Sequence, residues 1–273
     1  MRIVTWNARG AKRDSPLWDE LSELSPDIAL LQEVGDIPKR ITDSFKPILR
    51  PVISKTGKRQ RFSTAVLVNG KIIEEVALSS ELDWVECELQ LLKGNFICCR
   101  VQPNNHEPLT VVSAYSPAWP IDRDRIRNAD VSKVKTSVNP DVWGTDILWA
   151  ALKHTVSPTG QWVVGGDLNS SETFDAVWQH RNKKRFGFRS SGNAEMIARM
   201  GQLGFIECLR KSNKGNIIPT FRHSTGSINH QIDHLYVSSD LCSRLDKCRV
   251  GDQAIIFGKS LSDHLPIIAD FKI

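Results

Sequence analysis

Several features of membrane, secreted and zinc-binding proteins are absent from this 273-residue sequence. It has no run approaching about 18 consecutive apolar residues, so we expect no membrane-spanning helix. Its first residues, MRIVTWNARG, lack the apolar core of a signal peptide. The six cysteines form no CxxC pair, which argues against a zinc site and favours reduced, packed thiols. These absences predict a single cytoplasmic domain over residues 1–273, without membrane association or an evident obligate protein partner.

Positive charge is in modest excess, with a net charge of +5 and a sequence pI of about 8.9. It is concentrated in residues 181–189, RNKKRFGFR, and in residues 55–61, KTGKRQR. Basic residues interleaved with aromatics suit a phosphate backbone with bases nearby, although an ordinary solvated loop explains either run as well. The candidate phosphate-binding residues of the first run are Lys183, Lys184 and Arg185.

The apolar pattern predicts many short strands and few helices. Strands are predicted in RIVTWN, PDIALLQEV, WVECELQLL, NFICCRVQ, LTVVSAYSP, QWVVGGD, HQIDHLYVS and PIIADFKI. FSTAVLVNG and KIIEEVAL suggest a hairpin around Asn69-Gly70. Helices are predicted in SPLWDELSEL, residues 144–156 and AEMIARMGQLG. This order does not fit a purely parallel βαβ repeat, and it predicts an α+β sandwich of packed sheets with helices outside.

The stretch VVGGDLNSS, residues 163–171, leaves a β-branched strand through two glycines and then presents Asp167 and Asn169. Residues two apart in extended backbone point to the same side, so these two side chains would face one pocket. The glycines would let backbone or ligand come close. A strand followed by an ordinary Asx turn explains the same letters, and the stretch alone does not decide between the two interpretations.

Polar residues recur at the ends of other predicted strands. Asn7 follows RIVTW, Glu33 follows IALLQ, Tyr115 follows TVVSA, and Asp263 and His264 lie in LSDHLPI. Asp233 lies early in an apolar strand, where an unpaired carboxylate would be costly to bury, and His264 is its natural partner. Six such positions predict an active site along one edge of a sandwich.

The motifs TWNARG, LLQEV, SAYSP, GGDLNSS, QIDHLYV and LSDHLPI occur in this order over almost the whole chain. Together they resemble the endonuclease/exonuclease/phosphatase superfamily, which includes deoxyribonuclease I, exonuclease III, abasic-site endonucleases and inositol-polyphosphate phosphatases. The combination of GDxN with a distant SDHxP is specific. The resemblance implies a four-layer α/β sandwich, with two packed, mostly antiparallel sheets flanked by helices, and divalent-metal hydrolysis of phosphate esters.

Hydrolysis of a phosphodiester needs a cation on the phosphate and a base for the attacking water. Mg²⁺, which Mn²⁺ can replace, prefers one or two carboxylates plus waters. Glu33 is the first choice of ligand, with Asn7 beside it and Asp263 as a further candidate. Asp167 is the candidate general base, and the resemblance assigns it that role. Asn169 would hold Asp167 or a phosphate oxygen.

His264 would contact the phosphate, and Asp233 would fix its tautomer and stabilise its charged form. The resemblance alone suggests that Tyr115 donates a hydrogen bond to the phosphate or leaving group. Arg9 occupies the position where abasic-site enzymes usually have a metal-binding aspartate, and it can clamp a phosphate instead.

Three hypotheses remain for the substrate. Net positive charge, the basic runs and Arg9 favour a nuclease acting on DNA. A phosphatase or phosphodiesterase acting on a small molecule or lipid headgroup is the main alternative, and a catalytically silent binding module is the third. Trp119 is a candidate for base stacking, and His223 is a candidate to line the cleft.

Overall fold

The computed structural model describes residues 1–54, 57–157, 160–176 and 192–272. The whole basic run 181–189, with the candidate residues Lys183, Lys184 and Arg185, lies outside these ranges, as do the first two residues of the run 55–61. No helix within the described ranges is long and apolar enough to cross a bilayer.

Twelve strands in the described residues form two six-stranded sheets. Sheet A has the order β11-β12-β1-β2-β4-β3 and sheet B the order β5-β6-β7-β8-β10-β9. The strands are β1 (Arg2–Ala11), β2 (Ile28–Val34), β3 (Lys46–Ile53), β4 (Arg59–Val68), β5 (Gly70–Glu75), β6 (Phe96–Pro103), β7 (Leu109–Tyr115), β8 (Trp162–Asp167), β9 (Phe205–Glu207), β10 (Asp233–Ser238), β11 (Leu245–Val250) and β12 (Ile267–Phe271).

Helices connect the strands, and most of them cover the outer faces of the sheets, whereas the two short helices over residues 208–212 and 239–242 pack their buried side chains against the layer between the sheets. They are α1 (Leu17–Leu24), α2 (Lys39–Ser44), α3 (Asp83–Leu91), α4 (Gly144–Thr155), α5 (Asn193–Gln202), α6 (Cys208–Ser212), α7 (Ser239–Cys242) and α8 (Gln253–Ile256). Residues 172–176 are also helical.

The two sheets share one pairing pattern. In each sheet the third and fourth strands are parallel and the other neighbours are antiparallel. The parallel pairs are β1–β2, connected through α1, and β7–β8, connected through α4. Parallel strands need such crossover connections, and their carboxyl ends then lie together at one edge of the sheet. The predicted α+β sandwich with mostly antiparallel sheets is confirmed.

The core has three layers, which follow from the alternation of side chains along each strand. Ile3, Leu30 and Val163 belong to the layer between the two sheets. Their immediate neighbours point outward: Val4 packs in the layer under α1, and Val164 packs in the layer under α3 and α4. The order is therefore helix, sheet, sheet, helix.

Two predicted elements were wrong. Residues 84–92 were expected to form a strand, but α3 occupies Asp83–Leu91 because Val85 and Leu89 are buried at helical spacing. The hairpin around Asn69-Gly70 does not form, because β4 belongs to sheet A and β5 to sheet B. The chain crosses from one sheet to the other at that point.

The cysteines are free thiols, as expected. Cys98 packs outward from sheet B and Cys99 packs between the sheets, so the adjacent pair faces opposite sides of β6. Cys87 is exposed, so the expectation that all six thiols are packed was wrong for this residue.

The paired glycines of VVGGD make room for other parts of the fold. A Cβ on Gly165 would lie 2.8 Å from Leu30 Cδ1 of the opposite sheet. A Cβ on Gly166, whose φ is +154°, would lie 1.8 Å from the carbonyl oxygen of Ala114 in the neighbouring strand. Any larger residue at Gly166 would therefore push β8 away from β7, immediately before Asp167.

The Gly166→Ala variant should be less stable than the wild type by about 1–3 kcal/mol or more, because the added methyl collides with fixed backbone. Urea unfolding measures this as a lower midpoint. Gly201→Ala is the matched control, since Gly201 lies in α5 and its Cβ would meet nothing within 4 Å. That control should be unchanged or about 0.5–1 kcal/mol more stable. Equal midpoints for Gly166→Ala and the wild type would contradict the close approach.

Candidate active site

The candidate catalytic side chains meet where the carboxyl ends of the two parallel strand pairs face each other. Asn7 and Glu33 lie near the ends of β1 and β2, and Tyr115 and Asp167 end β7 and β8. Asp233 begins β10 and is paired directly with Asp167. His264 precedes β12, the antiparallel neighbour of β1. Strand ends from both sheets thus contribute to one cluster.

Side-chain parity selects which residues enter the cluster. Asp167 lies two residues after Gly165 and four after Val163, on the face of β8 that packs between the sheets. Asp233 shares that face of β10 with Leu235. The same alternation places Asn7 in line with Ile3. The cluster is therefore the polar end of the core between the sheets.

Asp167, Asp233 and His264 form a buried triad. His264 Nδ1 lies 2.9 Å and 3.1 Å from the two carboxylate oxygens of Asp233. Its Nε2 lies 4.0 Å from Asp167 Oδ2. One ligand atom of each residue lies within 4.8 Å of the others, so this group has the spacing to hold a metal ion.

Burial and charge act on the triad in opposite directions. Burial alone lowers the pKa of His264, but the charge and hydrogen bond of Asp233 and the charge of Asp167 raise it overall. Burial raises the pKa of Asp167, and Asp233 adds to this while His264 opposes it. The imidazole is thereby held in its charged form, and Asp167 is a stronger base than an exposed aspartate.

Asn7 connects the triad to Glu33. Its Nδ2 donates to Asp167 Oδ2 at 3.0 Å and to Glu33 Oε1 at 3.2 Å. Its Oδ1 accepts the backbone N–H of Arg9 at 2.9 Å, which fixes the orientation of the amide. The atom facing the carboxylates is therefore nitrogen, which donates hydrogen bonds and cannot ligate a cation. A metal-binding role for Asn7 stays a prediction.

Three residues of the candidate site have a left-handed backbone conformation. Arg9 and Asn169 have φ of 48° and Glu33 has φ of 52°, in the left-handed region that non-glycine residues seldom adopt. The two turns are alike: Arg9 N–H donates to Asn7 Oδ1, and Asn169 N–H donates to Asp167 Oδ1, both at 2.9 Å. The Asx turn expected for VVGGDLNSS is therefore present, and Asp167, its first residue, lies in the cluster. A shared pocket for Asp167 and Asn169 stays a prediction.

Tyr115 contacts the carboxylate end of the cluster. Burial raises the pKa of its hydroxyl, and the charges of Glu33 and Asp167 and a hydrogen bond to Glu33 raise it further. Phe62 packs edge-on against the ring at 5.5 Å between centroids. The hydroxyl therefore stays protonated and remains a hydrogen-bond donor beside Glu33.

Two predicted residues lie at the mouth of the cluster. Arg9 Nε pairs with Asp263 Oδ2 at 3.4 Å, and both side chains are partly exposed. Asp263 Oδ1 lies 4.0 Å from His264 Nε2. Asn169 turns its side-chain amide to the carbonyl oxygen of Ser116 at 2.8 Å. Arg9 and Asp263 are thus paired with each other on the exposed side of the cluster.

Two other predicted residues lie apart from the triad. Trp119 is half-buried and lines a small cavity with Ile53, Leu91 and Leu92. His223 is exposed in a turn, where its ring contacts Thr225. Phe221, two residues before His223, does reach the site, with its ring 4.9 Å from that of His264.

Several supporting residues were missed from the sequence. Trp6 Nε1 donates to the carbonyl oxygen of His264 at 2.9 Å, and Ser262 Oγ donates to the carbonyl oxygen of Asn7 at 2.7 Å. Thr220 Oγ1 accepts the backbone N–H of Asp233 at 3.1 Å. Trp6 and Ser262 lie inside the motifs quoted above, so the sequence did draw attention to them. Their hydrogen-bond partners are more than 250 residues away in sequence, so their supporting role could not be predicted.

His234, which the sequence left without a role, braces the loop that carries Asn169. It lies on the opposite face of β10 from Asp233 and is fully buried. Its Nε2 lies 2.8 Å from the carbonyl oxygen of Ser170, which can only accept, and its Nδ1 lies 3.4 Å from the Gln231 amide. Burial lowers the pKa of His234 to about 4, although the hydrogen bond to Ser170 opposes this. The ring is therefore neutral at pH 7.

Stability should decrease on the acid side because of His234. Between pH 6.5 and about 4, His234 binds a proton in the unfolded chain but not in the folded protein. The free energy of unfolding therefore falls as pH falls through this range, by up to on the order of 3 kcal/mol. His234→Gln keeps a donor near Ser170 but does not titrate. In urea unfolding measured from pH 7 to pH ~4.5, the free energy of unfolding of this variant should therefore fall less than that of the wild type. The exposed α4 variant His154→Gln should follow the wild type. Parallel curves for the wild type and His234→Gln would contradict this role.

The fold is similar to those of several solved structures. The structure is similar over 100% of both chains to an AP endonuclease from Archaeoglobus fulgidus, with a TM-score of 0.69 and 20% identity. It is also similar to a 3′-5′ exonuclease (NExo) from Neisseria meningitidis, with a TM-score of 0.64, 17% identity and 100% of both chains covered. The endonuclease domain of TRAS1, a telomere-specific non-LTR retrotransposon, has a TM-score of 0.59 and 15% identity over 100% of this chain and 98% of that one. At these identities the similarity establishes the fold.

A search of curated proteins gave no significant match. The sequence model of the endonuclease/exonuclease/phosphatase family, in contrast, matches residues 4–264, which include the first five motifs and the sixth as far as His264. Its members are phosphoric ester hydrolases that use divalent metals. The resemblance drawn from the motifs is thereby confirmed, and the chain belongs to the endonuclease/exonuclease/phosphatase family.

Proposed function

We propose that this protein is a divalent-metal-dependent nuclease that hydrolyses DNA, with Asp167 as general base and the Asp233–His264 pair on the scissile phosphate. The observation that carries the proposal is the buried triad, in which one imidazole lies between two carboxylates. A binding module has no need of this arrangement, whereas phosphoester hydrolysis needs both a base and a cationic group at the phosphate.

Each side chain of the cluster has its own role in this proposal, set by its position. Asp167 accepts the proton of the attacking water, and Asn7 and the Asn169 backbone N–H hold its carboxylate through hydrogen bonds. His264 Nε2 faces the space beside Asp167 and donates to a phosphate oxygen, while Asp233 stabilises its charged form. Tyr115 donates a hydrogen bond near the leaving group, and Arg9 binds the phosphate after exchanging Asp263 for it.

Glu33 is the carboxylate best suited to Mg²⁺. It is contacted by two neutral donors, the Asn7 amide and the Tyr115 hydroxyl, so no cationic side chain offsets its negative charge in these contacts. The charges of Asp167 and Asp233, in contrast, are offset by the imidazolium of His264. A hard cation prefers oxygen ligands, which favours Glu33, with Asp263 as a further candidate, over a set that includes an imidazole nitrogen. When bound, the cation would neutralise phosphate oxygens and stabilise the leaving oxygen.

DNA is the substrate that the remaining observations favour. One neighbouring structure is described as a 3′ phosphatase NExo from Neisseria bound to a product DNA hairpin. The net charge of +5 and the exposed Arg9 suit a polyanion. A phosphatase or phosphodiesterase acting on a small phosphorylated molecule or lipid headgroup would use the same triad, and it is the alternative that the first experiment addresses.

Wild-type protein should nick or linearise supercoiled plasmid in Mg²⁺ or Mn²⁺ and should be inactive in EDTA. Asp167→Asn should lower the rate by at least about 100-fold, because it removes the general base. Glu33→Ala should raise the metal concentration needed for half-maximal rate as well as lowering the rate. Agarose-gel time courses at several metal concentrations measure both effects.

Asp43→Asn is the matched control, since it makes the same chemical change at an exposed position on α2. It should cleave plasmid like the wild type. Near-normal turnover by Asp167→Asn would remove Asp167 as the base. Absence of cleavage by the wild type, together with turnover of a phosphomonoester or lipid headgroup, would favour the alternative substrate.

Asp233 and His264 should behave as one unit. His264→Ala should lower the cleavage rate by at least about 100-fold and Asp233→Asn by a smaller factor, because the ring keeps its place but loses its charge partner. The double variant should be no slower than His264→Ala alone. Multiplicative losses in this cycle, or full activity of Asp233→Asn, would show that the two residues act independently.

A further inference from the structure

Strand β2 contains one extra residue where it reaches the candidate site. Leu31 is paired with Ala65 of β4 and Val34 is paired with Ser63, so β2 uses one residue more than β4 over this stretch. Such a β-bulge interrupts the regular alternation of side chains and can redirect a side chain toward a neighbouring site. Glu33 lies in this bulge and has a left-handed backbone conformation, with φ of 52°.

The bulge directs two consecutive side chains toward sheet B. Leu31 and Val34, which flank it, both pack in the outer layer under α1. Gln32 points the other way, into the layer between the sheets, where it contacts β7. Regular alternation would return Glu33 to the outer layer, but its carboxylate instead accepts a hydrogen bond from Asn7 Nδ2 in the cluster. The extra residue is therefore what brings Glu33 into the candidate site.

Gln32 holds the inner side of this bulge. It is fully buried, and its Nε2 donates to Ser113 Oγ of sheet B and to the carbonyl oxygen of Leu30, both at 3.1 Å. Because a carbonyl oxygen only accepts, the contact with Leu30 identifies this atom as the amide nitrogen, and both of its protons are used. Ser113 Oγ in turn donates to the carbonyl oxygen of Leu31 at 3.4 Å. The amide and the hydroxyl together connect the backbone of β2 to β7.

These hydrogen bonds lie one step away from the contacts of Glu33. Gln32 immediately precedes Glu33, and Ser113 lies two residues before Tyr115, whose hydroxyl is hydrogen-bonded to Glu33. In extended backbone, Ser113 and Tyr115 share the face of β7 that is directed at sheet A. A left-handed residue with a side chain persists only where the surrounding contacts hold it. Loss of the Gln32 hydrogen bonds would therefore let the bulge relax and move the carboxylate of Glu33.

We propose that Gln32 is a positioning residue, which holds the β2 bulge so that Glu33 presents its carboxylate to a divalent cation. The inference rests on the proposed function, in which Glu33 is the carboxylate best suited to Mg²⁺. Replacing a residue that orients a metal ligand without contacting the metal typically weakens metal affinity or activity by about 10–100-fold.

Mn²⁺ binding to the folded protein tests this role without relying on turnover. The electron paramagnetic resonance signal of free Mn²⁺ gives the affinity in a titration. Gln32→Met removes both donated hydrogen bonds and keeps the length of the side chain, so it should weaken Mn²⁺ binding about tenfold. Ser113→Ala removes one of the two acceptors with a smaller change to the core. It should weaken binding by a smaller factor, and it decides the test if Gln32→Met is too unstable to titrate. Glu33→Ala, which removes the ligand, should weaken binding at least as much as Gln32→Met.

Two control variants separate positioning from general stability. Gln90→Met makes the same chemical change at an exposed position on α3, and it should bind Mn²⁺ as the wild type does. Val101→Ala removes buried volume between the sheets, where β6 pairs with Leu109 at the opposite end of β7 from Tyr115. This variant should lower the midpoint of urea unfolding but leave the Mn²⁺ affinity unchanged. A purely structural role for Gln32 would make Gln32→Met behave like Val101→Ala.

The outcomes separate this inference from the proposed function. If Gln32→Met binds Mn²⁺ with the wild-type affinity, or if Glu33→Ala does, the inference is wrong, whereas plasmid cleavage by the wild type would still support the nuclease function. If Gln32→Met loses Mn²⁺ affinity as expected but the wild type cleaves no nucleic acid, the positioning role stands and the proposed function is wrong. If Val101→Ala loses as much Mn²⁺ affinity as Gln32→Met, the effect follows stability and the inference is overturned.

Discussion

The ring of His264 joins two sheets at the point where two buried carboxylates face each other. Asp167 and Asp233 are directly paired on neighbouring strands of sheet B, and like charges opposite each other destabilise a sheet. His264 comes from the segment before β12 of sheet A and places one nitrogen against each carboxylate. Removing the imidazole would leave two uncompensated charges in the interior. The contact that balances these charges also closes the sandwich at this edge.

The identical pairing pattern of the two sheets explains why one edge gathers so many functional groups. Each sheet contributes a parallel pair whose carboxyl ends lie at the same edge. The alternation that fills the core with Ile3 and Val163 then places Asn7 and Asp167 at the end of the same layer. No separate device is needed to direct these side chains inward, because the apolar pattern that packs the sheets also positions them.

The sequence was most informative where function and periodicity coincide. The strand-end residues Glu33, Tyr115, Asp167 and His264 were predicted as one cluster, and the structure brings them together. The strand predicted for residues 84–92 was wrong, because the four-residue spacing of Val85 and Leu89 fits both the helical period of 3.6 and the strand period of 2 over so short a run. Trp6 and Ser262 could not be assigned, because their role depends on hydrogen bonds that only the assembled sheets create.

The two like turns, one at residues 7–9 within β1 and one at residues 167–169 at the end of β8, differ in the side chain that each presents. Each places the side chain of one residue on the backbone N–H of the residue two positions later, in a left-handed conformation. One turn carries the amide of Asn7 and the other carries the carboxylate of Asp167. A second carboxylate at the first position would add an anion beside Glu33, Asp167 and Asp233, where the imidazole of His264 already balances two carboxylates. The amide instead donates to both neighbouring carboxylates and holds them about a site whose remaining negative charge is suited to a divalent cation.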